Sequence, residues 1–276
     1  MGKTSATLYL TSTLGSIGNS VLNWRKSLQQ KLGDTGHVAL FIVDTVKATF
    51  SRNFEFKEFA FQCYKIGNKT LPLISITGAV MGLVLTIQSR PILLDFGAVS
   101  MLPGMVMVSL IREMGPVITA LICAGKVGSG IGAELGAMRV TEQIDAMEVS
   151  SINPMRYLVV TRVLAATLML PLLVLYADLL GFFGSWLGAN LKGSVSLALF
   201  FSQAFGVIEF IDFIPAFIKT FFFGAIIGLV GTYKGYNAGK GTVAVGRAAN
   251  SAVVLASLLV ILVDMLAVQI TDMMLP

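Results

Sequence analysis

Five ionisable residues, Arg112, Glu113, Asp178, Lys219 and Asp264, fall inside stretches that are otherwise apolar enough to cross a bilayer. A charge near the bilayer centre costs at least ~2.5 kcal/mol on insertion scales, so such groups turn toward a bundle interior or a wet cavity and find partners. Two chemistries suit this set. Paired with one another, the charges are buried ion pairs that lock a helix bundle. Facing a cavity, the cations hold the phosphate of a lipid headgroup and the carboxylates gate it or pair in the empty state. Arg112 is the better phosphate clamp, because its planar guanidinium reaches two oxygens. A proton relay through Glu113, Asp178 and Asp264 is a third possibility and would make the chain a secondary carrier. Asp178, close to Gly181, also suits a packing or kink position.

Composition places these residues in a membrane protein. Of 276 residues, 55% are hydrophobic and 13% charged, with a mean hydropathy of +0.81, whereas soluble domains carry roughly 25% charged residues. The formal charge of +5 raises nucleic acid as a partner. However, Lys and Arg sit mainly between the apolar stretches, where they fit cytoplasmic loops and anionic headgroups, and no nucleic-acid binding is expected. Cys63 and Cys123 lack ligand spacing and His37 is the single histidine, so no metal site is expected. Met1 to Ser20 is rich in Ser and Thr and lacks the continuous apolar core of a signal peptide.

The elements that must position the charges are all helical. Five stretches meet the roughly 20-residue length of a span, at about 71–89, 101–125, 157–187, 213–233 and 250–271. Val195 to Ile208 is apolar but short, and reads as a re-entrant or interfacial helix. Residues 36–66 mix Phe and Tyr with Lys and Arg, which predicts interfacial helical structure, and 1–35 is a lead-in without assigned role. The fold class is therefore all-α and polytopic. With the N-terminus cytoplasmic, eleven basic residues including Arg52, Lys126 and Lys234 fall inside, and only Arg90 and Lys192 outside. A sixth span at 195–208 would destroy that asymmetry. The C-terminus is expected on the opposite, periplasmic side.

The stretch between the second and third spans is the least ordinary. Gly128, Gly132 and Gly136 recur every four residues, a stripe that lets helix backbones approach closely. Beyond it, Val140, Ile144 and Met147 share one helical face, and Glu142, Asp145 and Glu148 another. An acidic face suits anionic headgroups poorly, so a cytoplasmic helix over about 138–149 is expected to dock on a protein.

The runs LIREMGPVITALICAGKVGSGIGAELGAMRVTEQIDAMEV and NPMRYLVVTRVLA resemble the MlaE-like permeases, membrane subunits of ABC transporters that work with MCE-domain proteins. The resemblance extends from about Phe41 to the C-terminus and is densest between Arg112 and Ala165. It implies a homodimer in the bacterial inner membrane that moves phospholipid or a related lipid between that membrane and the outer envelope. Two separate ATPase subunits would bind ATP and Mg, and an MCE-domain partner would carry the lipid onward. The resemblance also implies that 138–149 is the coupling helix, with Glu134, Arg139, Glu142 and Asp145 as ATPase contacts. Arg112 and Glu113, in the matching R-E-[LM]-G-P motif, would lie with Lys219 and Asp264 around the lipid cavity or dimer seam. The chain has no nucleotide site of its own: Gly235 to Thr242, GYNAGKGT, fails the glycine spacing of a P-loop. A permease makes no covalent bond, so no catalytic residue is expected. The rivals are a proton-coupled carrier and a non-transporting scaffold.

Overall fold

The computed structural model describes residues 36–50, 54–191 and 195–274, and every regular element among them is helical. The lead-in 1–35 therefore lies outside the described residues, as do Arg52 and Lys192. A first helix, α1, covers 36–49 and exposes Leu40, Val43 and Val46. The expected helical stretch 36–66 is not one element. It is divided, and Phe56 already begins a 40-residue helix, α2 (Phe56–Asp95).

Helix α2 ends where geometry demands glycine. Gly97 adopts φ +67, its N–H bonds Leu94 O, and Ala98 N–H reaches back to Leu93 O, which together satisfy the last carbonyls of the helix. After a short 3₁₀ turn the chain returns as one long helical rod containing α3 (Leu102–Ser109), α4 (Gly115–Cys123) and α5 (Ser129–Val140). Two π-helical turns join them, at Leu110–Met114 and Ala124–Gly128. The second span is thus much longer than 101–125, since the rod runs on to Val140.

The expected helix over 138–149 is broken. Residues 138–140 finish α5, Glu142 turns the chain with φ 58, and a separate α6 covers Gln143–Val149. Glu142 therefore sits on an elbow and not on a common helical face with Asp145 and Glu148. A π turn at Met155–Val160 leads into α7 (Thr161–Asn190), followed by α8 (Leu197–Phe205), α9 (Phe210–Tyr236) and α10 (Thr242–Met274). Among the described residues, five helical segments are long and apolar enough to span a membrane, and α8, at nine residues, is not one of them.

Helix α7 is the hub, lying along α2 on one side and α9 on another, while α5 and α9 both pack on α10. Small residues make these approaches possible. A Cβ on Gly82 would lie 1.6 Å from Gly181 O, and one on Gly184 would lie 2.0 Å from Ala79 O. The predicted stripe packs too: Gly128 faces Ile227, Gly132 faces Ala249 and Ala252, and Gly136 faces Val245 and Ala248. Without a hydrophobic driving force between helices in lipid, such close contact supplies dispersion energy that holds the bundle together.

Candidate functional site

The intramembrane charges form a two-tiered cluster where the α3–α4 rod meets α9 and α10. In the inner tier Lys219 Nζ donates to Glu113 Oε2 and to Asp264 Oδ1, both at 2.9 Å. Lys219 is only 6% exposed, so its desolvation is offset by two charge-assisted hydrogen bonds. In the outer tier Arg112 lies 3.5 Å from Asp212 and 3.8 Å from Asp272. The adjacent Arg112 and Glu113 are not ion-paired to each other; each turns to a different carboxylate or amine.

Helix geometry explains the tiers. Asp212 and Lys219 are seven residues apart on α9, hence on one face. Asp264 and Asp272 are about two turns apart on α10. The π turn that contains Arg112 and Glu113 closes on the Gly115 N–H to Leu110 O bond, and such insertions re-aim side chains relative to a regular α-helix. Asp212 also caps α9, its Oδ2 accepting the Glu209 N–H at 3.2 Å. Sequence reasoning missed both Asp212 and Asp272, because they stand just beyond the apolar runs and read as helix ends.

The two cations are held differently. Lys219 is buried and held by two carboxylates at 2.9 Å, whereas the Arg112 side chain is 41% exposed and its partner Asp272 is 67% exposed. Arg112, Glu113, Asp212, Lys219 and Asp272 all line one small polar pocket. That pocket adjoins an apolar cleft of about 470 Å³ between α9 and α10, lined by Ile214, Ile218, Phe222 and Ile270, and Lys219 belongs to both. A polar end joined to an apolar trough is the shape of an amphiphile.

Asp178 does not join this cluster. It is buried on α7, with Oδ1 against Gly115 and without a hydrogen-bond partner. A second cluster lies toward the α6 end. Glu134 on α5 pairs with Lys65 on α2 and, at 2.9 Å, with Arg162 on α7. Arg162 is almost fully buried and also donates to Leu158 O at 3.0 Å. Glu134, expected to touch a partner protein, is part-exposed and ties three helices of the bundle. The other three expected contacts lie at the elbow: Arg139 Nη1 donates to Asp145 Oδ1 at 2.5 Å, and Glu142 is exposed. Ile144, fully buried, anchors α6 to the bundle. No group of His, Cys, Asp and Glu able to hold a metal occurs among the described residues.

A family model described as Permease MlaE matches residues 59–270, which is most of the chain and includes both ionic clusters except Asp272. The chain belongs to the MlaE permease family. A probable ABC transporter permease protein of Rickettsia typhi is 40% identical over 205 residues, covering 74% of this chain and 79% of the relative. One from Rickettsia bellii is 34% identical over 261 residues, covering 95% and 98%. The Haemophilus influenzae intermembrane phospholipid transport system permease protein MlaE is 32% identical over 210 residues, covering 76% and 80%. Within this MlaE-family chain the segment matched by the family model begins at residue 59, inside α2, so α1 lies outside that match.

Proposed function

We propose that this chain is the permease subunit of an ATP-driven transporter that moves phospholipid between the inner membrane and the outer envelope. The observation that carries the reading is the polar pocket of Arg112 joined to the apolar cleft between α9 and α10. The phosphate would go to Arg112, whose contacts to Asp212 and Asp272 are long enough to be exchanged for oxygens of a headgroup, and an acyl chain would follow the cleft. The named function of the H. influenzae relative supports the substrate class. The ABC names of the Rickettsia relatives support an external ATPase.

On this reading ATP and Mg are bound by two separate ATPase subunits, a second copy of the chain completes the dimer, and an MCE-domain partner receives the lipid. The α6 end faces the cytoplasm and the α8 end the periplasm. Nucleotide-driven closure of the ATPases shifts the permease between states that differ in affinity for lipid, which is what moves the cargo. The elbow of Arg139, Glu142 and Asp145 would receive that motion, and Ile144 would pass it to the bundle.

Transfer of fluorescent phospholipid by the complex reconstituted in proteoliposomes tests the site. Arg112→Ala is expected to lower the rate by at least about tenfold with the fold intact, because loss of a charge-assisted hydrogen-bonded clamp is worth about 1.5–3 kcal/mol. An unchanged rate would remove the headgroup assignment. Coupling is tested separately: Glu142→Lys with Asp145→Lys is expected to abolish ATPase co-purification while leaving the thermal midpoint of the permease near that of the wild type. Undiminished co-purification and ATP turnover would place the docking surface elsewhere.

A further inference from the structure

A second cleft, of about 490 Å³, opens between α3, α7, α8 and the start of α9, and shares no lining residue with the pocket of Arg112. Its size falls within the roughly 300–1,000 Å³ of small-ligand sites. Five phenylalanines line it: Phe182, Phe201, Phe205, Phe210 and Phe213. They are organised, with Phe182 edge-on to Phe201 at 4.3 Å and Phe201 stacked on Phe205 at 5.7 Å. Two carboxyl groups complete the lining, Asp178 within and Glu209 at the start of α9, and no Lys or Arg contributes.

Asp178 makes this cleft more than a lipid-facing groove. Its residue exposure is 8%, its Oδ1 accepts no hydrogen bond, and it has no cation partner among the described residues. Buried polar groups are costly unless something donates to them. Gly115 is required beneath it, since a Cβ there would lie 1.8 Å from Asp178 Oδ1. A purely hydrocarbon occupant would fill the aromatic walls and leave the carboxyl unanswered. An anionic headgroup would meet two carboxyls and no positive charge. A cation beside phenylalanine faces and a carboxylate is attracted by both.

We propose that this cleft binds the ammonium group and leading hydrocarbon of an amine-bearing amphiphile, with Asp178 as its hydrogen-bonding partner and the phenylalanines as its cage. The ammonium could be that of an aminophospholipid in the surrounding leaflet or of a free amphiphilic amine, and the chemistry at Asp178 is the same. The site is independent of the phosphate pocket at Arg112.

The test uses the full chain in phosphatidylglycerol nanodiscs, photolabelled with a photoreactive hexadecylamine or with the hexadecanol carrying the same photogroup. Peptides of α7, α8 and α9 that line the cleft are expected to take up the amine about tenfold more than the alcohol, a preference equivalent to about 1.4 kcal/mol. Asp178→Asn is expected to erase that preference. Leu179→Trp, which enlarges an exposed lining residue and keeps Asp178, is expected to block labelling by both probes. It also decides the matter should Asp178→Asn not fold. Competition by added phosphatidylethanolamine identifies the lipid as the source of the ammonium; competition by dodecylamine alone identifies a free amine. Equal labelling by amine and alcohol, a preference that survives Asp178→Asn, or unaltered labelling of Leu179→Trp overturns the proposal.

Discussion

Gly82→Ala is expected to cost about 3 kcal/mol or more and to prevent recovery of folded protein, although it adds a single methyl group. The new Cβ would lie 1.6 Å from Gly181 O and 2.9 Å from Gly181 Cα. Overpacking usually costs about 1–3 kcal/mol. The value here belongs at or above the upper limit, because the obstacle is backbone and cannot swing aside. Helix α2 would have to move away from α7 along the contact that also includes Gly78, Gly184 and Gly188, with loss of dispersion contacts over several turns. Gly130→Ala is the matched control. Nothing lies within 4 Å of its Cβ position, so the ordinary helical preference for Ala over Gly, up to about 1 kcal/mol, should leave it unchanged or slightly stabilised. Thermal midpoints by size-exclusion chromatography in detergent compare the two. A Gly82→Ala protein as stable as Gly130→Ala would refute the α2–α7 packing.

That contact shows what the sequence made legible. Gly78 and Gly82, and Gly184 and Gly188, are small-residue pairs four apart inside apolar runs, the same signal that drew attention to Gly128, Gly132 and Gly136. Spacing revealed that some helices must approach closely but not which one each stripe would meet. The five spans were readable for a stronger reason: a bilayer demands about 20 apolar residues whatever the tertiary contacts. Their ends were less readable, since α5 continues past the apolar stretch under the protection of the Lys65, Glu134 and Arg162 pairs.

Local chemistry hid the elbow. Glu142 has a positive φ that favours glycine or asparagine, so an apolar and acidic periodicity running through 138–149 offered no sign of the break. In the charge cluster, Arg112, Glu113, Lys219 and Asp264 declared themselves by their cost in an apolar setting. Asp212 and Asp272 did not, because a carboxylate at a helix end has a cheaper explanation. The seven-residue interval from Asp212 to Lys219 was the available signal, and it becomes informative only once α9 is known to begin at Phe210.

Lys219→Met is expected to destabilise the protein by up to about 3 kcal/mol, the lower end for removing one partner from a buried ionic group, because the Glu113 side chain is 43% exposed and water screens part of its charge. Lys219 is the only cation within hydrogen-bonding distance of Glu113 and Asp264 among the described ion pairs, so its loss would leave two carboxylates facing one another between three helices. Adding Glu113→Gln and Asp264→Asn should restore stability to near the wild-type value, since replacing a whole buried ionic group by neutral residues of similar shape is often neutral or stabilising. This triple variant separates structure from transport. If Lys219 locks the bundle while Arg112 holds the headgroup, as their burial suggests, phospholipid transfer should return to within severalfold of wild type once the fold is restored, and Arg112→Ala in the same background should abolish it again. A triple variant that is stable yet silent with Arg112 intact would instead assign the lipid phosphate to Lys219, and with it a transport cycle in which the inner tier must open on every turnover.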